Sequence, residues 1–275
     1  MNRTLGIIAA VATVGMFAPS AVVGQQRGDP NDEWCDDGNR RGNRGADRFC
    51  EVREFTLAER DMVNIDGGSN GGIEIVGWDR NEILVRAKVQ AWSDREDPED
   101  IVSDIEIITV GREIRADGPR RRNRRRNGGW SVSFEVMVPY QSNLSLEARN
   151  GGISITDVHG NMDFRTANGG IALEGVSGDV RGSTTNGGIR IELEGEEWEG
   201  RGLDVQSTNG GVTLYLPADY RADLETGTTN GGFRIDFPIV VQGRINRRRI
   251  RTELNGGGAL IRVVTTNGGV TVRRR

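Results

Sequence analysis

Few residues in this chain have the type and spacing that chemistry needs, and each group points to a different kind. The one histidine, His159, stands in "DVHGN"; a turn setting of this sort predicts an exposed residue, not a general base. Carboxylates are plentiful but scattered, so their spacing in the sequence does not reveal a pair for acid and base work on a sugar. GxSxG in the elbow sense, a serine at a strand-to-helix turn, is absent. The acidic stretch "DPNDEWCDDGN" offers oxygen ligands without matching an EF-hand loop, and it reads as a solvated linker. Cys35 and Cys50 are the two cysteines. With no CxxC spacing and no nearby histidine, they suit a disulfide better than a metal or redox site. Closing a loop of that length is worth about 3 kcal/mol in the chain-entropy model.

Arginine supplies nearly all of the positive charge, Lys88 being the sole lysine, within a formal net charge of −4 and a pI of about 5.3. It is concentrated at Arg120, Arg121, Arg122, Arg124, Arg125 and Arg126, in "NRRRIR" over 246–251, and in the final "RRR". Guanidinium groups pair with carboxylate or phosphate. Aromatic residues are not interleaved with them, which argues against stacking on single-stranded nucleic acid. Solvated loops are the plainer reading, and the 120–126 cluster is kept as a candidate binding patch. Trp198 is the other candidate: in "EGEEWEGRG" it either tops a protruding loop, ready to stack on a sugar or a partner, or packs against its own coil.

These residues must be positioned by a repeat. Asn-Gly-Gly occurs at Asn70, Asn127, Asn150, Asn168, Asn186, Asn209, Asn230, Asn255 and Asn267, and the steps from Asn150 onward are 18, 18, 23, 21, 25 and 12 residues. After the glycines come apolar residues two apart, such as Ile153 with Ile155 and Ile171 with Leu173. That alternation marks a short strand with one buried face. A second strand returns in each unit, as in Met162 with Phe164 and Leu203 with Val205, and ends in Thr or Ser before the next Asn-Gly-Gly. Asparagine and glycine accept positive φ, so the motif is expected to bend the chain, with the second glycine allowing close backbone approach. The seven corner asparagines Asn70, Asn150, Asn168, Asn186, Asn209, Asn230 and Asn267, with the threonines before them, are in a position to bond from coil to coil.

Glycines that run into strands do not cradle phosphate, which needs a helix start. The GGxGxD pattern of calcium-binding solenoids is also absent. An all-β chain is expected, either a β-solenoid of coils of about 18–25 residues or an antiparallel meander or sandwich in which the same corners are hairpins. The matching of Ile over Ile favours the solenoid.

Before Asn150 the pattern is less regular, with strands suggested at "REFTL", "GGIEIVGW", "EILVRAKVQAW", "IEIITV", "REIRA" and "WSVSFEVMV". A short helix is expected in "DPEDIVSDI", with Asp97 or Asp100 as its cap. These elements form an irregular β cap. The basic start and the apolar run from Leu5 to Phe17 read as a signal peptide over 1–24. A linker with the disulfide over 25–52 and a solenoid domain over 53–275 follow.

The export signal and the repeated "NGGI-x-I" units resemble a bacterial family catalogued as a domain of unknown function and described as adhesin-like. The resemblance runs from about Phe55 to the carboxyl terminus. It implies a β-solenoid envelope protein without catalytic residues. The expected function is that of an exported, non-enzymatic binding or scaffold protein, periplasmic or outside the cell, needing no cofactor or metal. Surface glycans or envelope proteins are its expected partners, and nucleic acid is not. Two alternatives stand beside it: a polysaccharide-active β-helix enzyme, and an accessory of envelope-stress signalling.

Overall fold

A computed structural model describes residues 24–25, 28–36, 46–119, 128–236 and 249–275. The first part of the chain gives β1 (Gly24–Gln25), β2 (Asp47–Ala58), β3 (Val63–Asp66), β4 (Ile73–Trp78), β5 (Glu82–Ser93), α1 (Pro98–Ser103), β6 (Glu106–Ile108), β7 (Glu113–Asp117) and β8 (Gly128–Pro139). The repeats follow as β9 (Leu144–Ala148), β10 (Ile153–Thr156), β11 (His159–Asn168), β12 (Ile171–Glu174), β13 (Ser177–Asn186), β14 (Ile189–Glu192), β15 (Gly202–Asn209) and β16 (Val212–Leu216). The last strands are β17 (Ala222–Asn230), β18 (Phe233–Ile235), β19 (Ile250–Leu254), β20 (Leu260–Asn267) and β21 (Val270–Arg274).

Each coil contributes one short strand to a first sheet and one longer strand to a second. The first sheet runs β1-β2-β5-β8-β4-β10-β12-β14-β16-β21-β18, and the second runs β19-β17-β20-β15-β13-β11-β9-β3-β7-β6. Within the repeats every pairing is parallel and in register, for example Ile153 beside Ile171 and Ile171 beside Ile189. The chain is therefore a two-faced β-solenoid, and the meander is set aside because hairpins would have paired these strands antiparallel. Ile73, Ile153, Ile171, Ile189, Val212 and Val270 form one buried column, each 3% exposed or less. They face Leu144, Met162, Val180, Leu203, Ile261 and Leu224 of the second sheet, which are as deeply buried. Side-chain size is balanced between neighbouring coils: a Cβ on Gly182 would lie 1.9 Å from Cε2 of Phe164, so the ring fills the space that the glycine leaves.

The antiparallel strands β2, β5 and β8 extend the first sheet and cover the solenoid's amino-terminal end. Along β5 the residues Ile83, Val85, Ala87, Val89 and Ala91 point inward and are fully buried. The helix α1 starts where the sequence predicts, with the Asp97 side chain accepting from the Glu99 N–H and Pro98 in its first turn. Arg53 holds its C-terminal end, donating to Val102 O in the helix at 2.8 Å and to Ile105 O just beyond it. β2 runs without a break from Asp47 to Ala58, so the expected linker boundary at residue 52 falls inside a strand.

The order of coils departs from the order of the sequence. β20 and β21 lie between the coil of β15 and β16 and the coil of β17 and β18. The last coil is thus inserted behind the one before it, and β19 closes the second sheet antiparallel to β17.

The corners also work differently from expectation. Seven Asn-Gly-Gly corners join a second-sheet strand to a first-sheet strand, and none of them uses positive φ, which appears instead at Asp157, Gly160, Gly175 and Gly178 on the opposite side of the coils. The first glycine is the one that close approach demands. A Cβ on Gly151, Gly169, Gly187 or Gly210 would lie 1.9–2.0 Å from the carbonyl oxygen of the first glycine of the neighbouring coil, whereas at the second glycines Gly152, Gly170, Gly188 and Gly211 the nearest backbone oxygen is 3.2–3.4 Å away.

Side chains then tie the corners together. Asn168 Nδ2 donates to Asn150 Oδ1 at 2.8 Å, Asn186 to Asn168 at 2.8 Å, Asn209 to Asn186 at 2.9 Å, Asn267 to Asn209 at 2.8 Å and Asn230 to Asn267 at 2.8 Å. Asn150 closes the ladder on Asn70 at 3.2 Å. Beneath it, Thr166, Thr184, Ser207, Thr265 and Thr228 each donate a hydroxyl to a first-glycine carbonyl at 2.8 Å. Asn255 stands off the ladder with φ 47° and donates to Ala218 O and Tyr220 O; Asn127 lies outside the described residues.

Candidate functional site

The outer face of the first sheet carries an open trough of about 820 Å³. Its floor is made of outward residues from successive strands: Ser133 on β8, Glu74 on β4, Ser154 on β10, Ala172 on β12, Arg190 on β14 and Thr213 on β16. Parallel stacking at about 4.8 Å per strand makes this floor roughly 30 Å long from β5 to β16. The second glycines of the corners, Gly72, Gly152, Gly170, Gly188 and Gly211, form one side. They carry no side chain, so the trough stays open along that edge.

Trp34, Lys88 and Gln90 line the trough at its β5 end. Trp34 belongs to the acidic segment that the sequence suggested was a solvated linker, and the structure corrects that reading. Asp29 exchanges backbone hydrogen bonds with Val52 at 2.9 and 3.0 Å, and Cys35 is bonded to Cys50. Asp32 accepts from the Trp34 N–H at 2.9 Å and from Arg86 Nη2 at 2.7 Å. The segment is thereby fastened across β2 and β5. The Trp34 ring lies 5.7 Å from the Arg86 guanidinium carbon and 5.8 Å from Lys88 Nζ, within the range of cation–π attraction.

Arg86 holds this end together. It pairs with Asp32, with Glu54 at 3.0 Å and with Glu135. Burial weakens the Arg86 charge, but hydrogen bonds to Asp32 and Glu135 outweigh it and raise its pKa further. Burial likewise pushes Asp32 up, and the Trp34 N–H with Arg86 and Lys88 brings its carboxyl below the usual value. Glu135, the in-register neighbour of Glu74, is drawn into the ion pair with Arg86, while Glu74 faces the trough. At the far end Arg190 pairs with Glu192 and stacks on Tyr215 at 4.4 Å. An indole at one end, a floor of mixed hydroxyl and charged side chains and a glycine rim form a surface suited to holding an extended ligand.

The structure separates the residues singled out from the sequence. Trp198 is 6% exposed, and its Nε1 donates to Gly178 O at 3.0 Å. It packs on its own coil, and its ring is not offered to a ligand. His159 opens β11 half-buried, with Nδ1 2.7 Å from Ser177 Oγ, so it is not the exposed turn residue expected. Arg120, Arg121, Arg122, Arg124, Arg125 and Arg126 lie outside the described residues. Of the second arginine cluster, Arg249 and Arg251 converge on Glu225 at 3.0 and 2.6 Å. At the carboxyl terminus Arg273 pairs with Asp236 and Arg275 with Glu194. Sequence reasoning missed Trp34; the signal for it was its place next to Cys35, which fixes where the indole must lie once Cys50 is in a strand.

Residues 103–273 match the family described as Toastrack DUF4097. The chain belongs to the Toastrack family. The match takes in every Asn-Gly-Gly from Asn127 onward and begins later than the resemblance read from the sequence. This Toastrack chain is also similar to the solved structure of a "putative cell adhesion protein" from Clostridium sporogenes, with 11% identity, 84% of this chain and 100% of that one covered, and a TM-score of 0.44. A "putative adhesin" from Bacteroides fragilis has 11% identity, covers 82% and 97%, and gives a TM-score of 0.42. A "putative lipid binding protein" from Parabacteroides distasonis has 8% identity, covers 82% and 96%, and gives 0.33. No curated protein matches the Toastrack chain.

Proposed function

We propose that this Toastrack protein is an extracytoplasmic, non-enzymatic binding protein whose ligand, a surface glycan, lies along the first-sheet trough. The observation that carries this reading is Trp34, fastened by the Cys35–Cys50 disulfide and the Asp32–Arg86 pair over one end of a long floor on which Ser133, Ser154, Ala172 and Thr213 are interspersed with Glu74 and Arg190. A flat indole face is the common platform for a sugar ring, and the Ser133, Ser154 and Thr213 hydroxyls with Glu74 and Arg190 offer hydrogen-bond partners to sugar hydroxyls along the floor. A disulfide persists where the surroundings are oxidising, which supports a place outside the cytoplasm. Glu135, the carboxylate beside Glu74, is held ionised by Arg86, which disfavours it as the proton donor that glycoside hydrolysis needs.

The test is binding of the purified protein to an array of bacterial surface oligosaccharides and muropeptides, alongside Trp34→Ala. Saturable binding that falls at least tenfold in the variant supports the proposal. Absence of saturable binding, or equal binding by both proteins, overturns it.

A further inference from the structure

The outer face of the second sheet carries a different site. Its strands β11, β13, β15, β20, β17 and β19 place Asp163, Arg181, Asp204, Arg262, Glu225 and Arg251 side by side in one row of alternating charge. In-register stacking puts equivalent positions next to each other, so a uniform repeat would have set like charge against like; alternation turns the row into cross-strand attraction. At its end, however, the row carries surplus positive charge. Glu225, its side chain 7% exposed, accepts from Arg249 and Arg251 and lies 3.5 Å from Arg262. Three guanidiniums surround one carboxylate, and among the described residues only Arg262 has a second acid, Asp204.

Arg249 and Arg262 open into a groove of about 640 Å³ on this face. Along it stand Thr185, Thr208, Thr266 and Thr229, all exposed, one from each of four adjacent parallel strands. Their hydroxyls recur at about 4.8 Å. Arg249 is 60% exposed and gives Glu225 one of its five N–H donors.

We infer that this groove binds a linear acidic glycan, with a carboxylate on Arg249 and sugar hydroxyls along the threonine row. Charge complementarity selects the ligand class: the groove's ionic groups are two arginines and a Glu225 whose charge is already neutralised. A row of hydroxyl donors and acceptors at strand spacing suits a polymer that repeats at the length of one sugar. The site is on the opposite sheet from the trough and does not depend on Trp34.

The experiment is titration of the isotope-labelled whole chain with an unbranched hexagalacturonate, with a neutral cellohexaose as control. Saturable amide shifts centred on Thr208, Thr266 and Arg249 are expected, weakening as salt rises and absent with cellohexaose. Arg249→Ala, which leaves Glu225 paired to Arg251 and Arg262, is expected to lower affinity at least tenfold. Thr208→Val with Thr266→Val, which keeps shape and removes hydroxyls, is expected to lower it several-fold. No saturable shift, shifts centred on Ser154 and Thr213, or unchanged affinity in Arg249→Ala would each overturn the inference.

Discussion

Gly169 and Gly151 approach so closely that a Cβ added to Gly169 would lie 2.0 Å from the carbonyl oxygen of Gly151. That contact is between backbones and cannot be relieved by turning a side chain. Gly169→Ala must therefore spread two coils, at a cost above about 3 kcal/mol. Gly170→Ala meets its nearest backbone oxygen at 3.3 Å and is expected to cost about 1 kcal/mol or less. Thermal unfolding of the pair checks this order, and equal losses would show that the two glycines share one role.

Asn186 both donates to Asn168 and accepts from Asn209. Asn186→Asp keeps the acceptor and loses the donor, leaving two oxygens facing each other. It is expected to destabilise by about 1–2 kcal/mol, more than Asn186→Ala, as measured by urea unfolding. A milder effect for the aspartate would count against a directional ladder.

Trp198 fills the corner over Gly178 and belongs to the core. Trp198→Ala is expected to cost about 3–5 kcal/mol. Glycan binding below its lowered melting temperature measures whether the loss stays confined to stability.

Cys35 and Cys50 hold Trp34 in place, so Cys35→Ser with Cys50→Ser is expected to lower stability by about 3 kcal/mol and release the indole. The measurement is a red shift of tryptophan emission with strand circular dichroism retained. An unchanged emission maximum would show that Asp32 and the Asp29–Val52 bridge suffice to hold the segment.

Burial raises the Glu225 carboxyl, but hydrogen bonds from Arg249 and Arg251 bring it below its ordinary value. A carboxyl that is more acidic folded than unfolded adds stability above its unfolded pKa, and that contribution is lost as pH falls through the folded value. Stability should therefore decline from neutral pH toward the region below the ordinary glutamate pKa, and Glu225→Gln should show a smaller decline. Chemical denaturation at pH 7 and pH 3 gives the comparison.

The coil and its strands were legible because Ile153 and Ile155, and their equivalents, repeat in phase with Asn-Gly-Gly. The Cys35–Cys50 bond was legible from number and setting. The insertion of β20 and β21 was not, because Thr265 to Gly269 has the same sequence as Thr228 to Gly232 and a local motif carries no information about which neighbour it stacks on. The role of the glycines was misassigned for a related reason: Gly169 and Gly187 need their small size because of a backbone 18 residues away, and not because of their own φ. The placing of Trp198 and Trp34 depends on contacts that arise only after the coils are stacked. One is turned inward onto Gly178, and the other is tied outward over β5.

The most direct test of the trough as the ligand surface is Ser154→Trp, which places a bulky ring midway along the floor, compared with the unaltered protein on the array of surface oligosaccharides and muropeptides. The expected result is a wild-type melting temperature within a few degrees and at least tenfold weaker binding. Undiminished binding by the blocked, folded protein would contradict the assignment of the ligand to this trough.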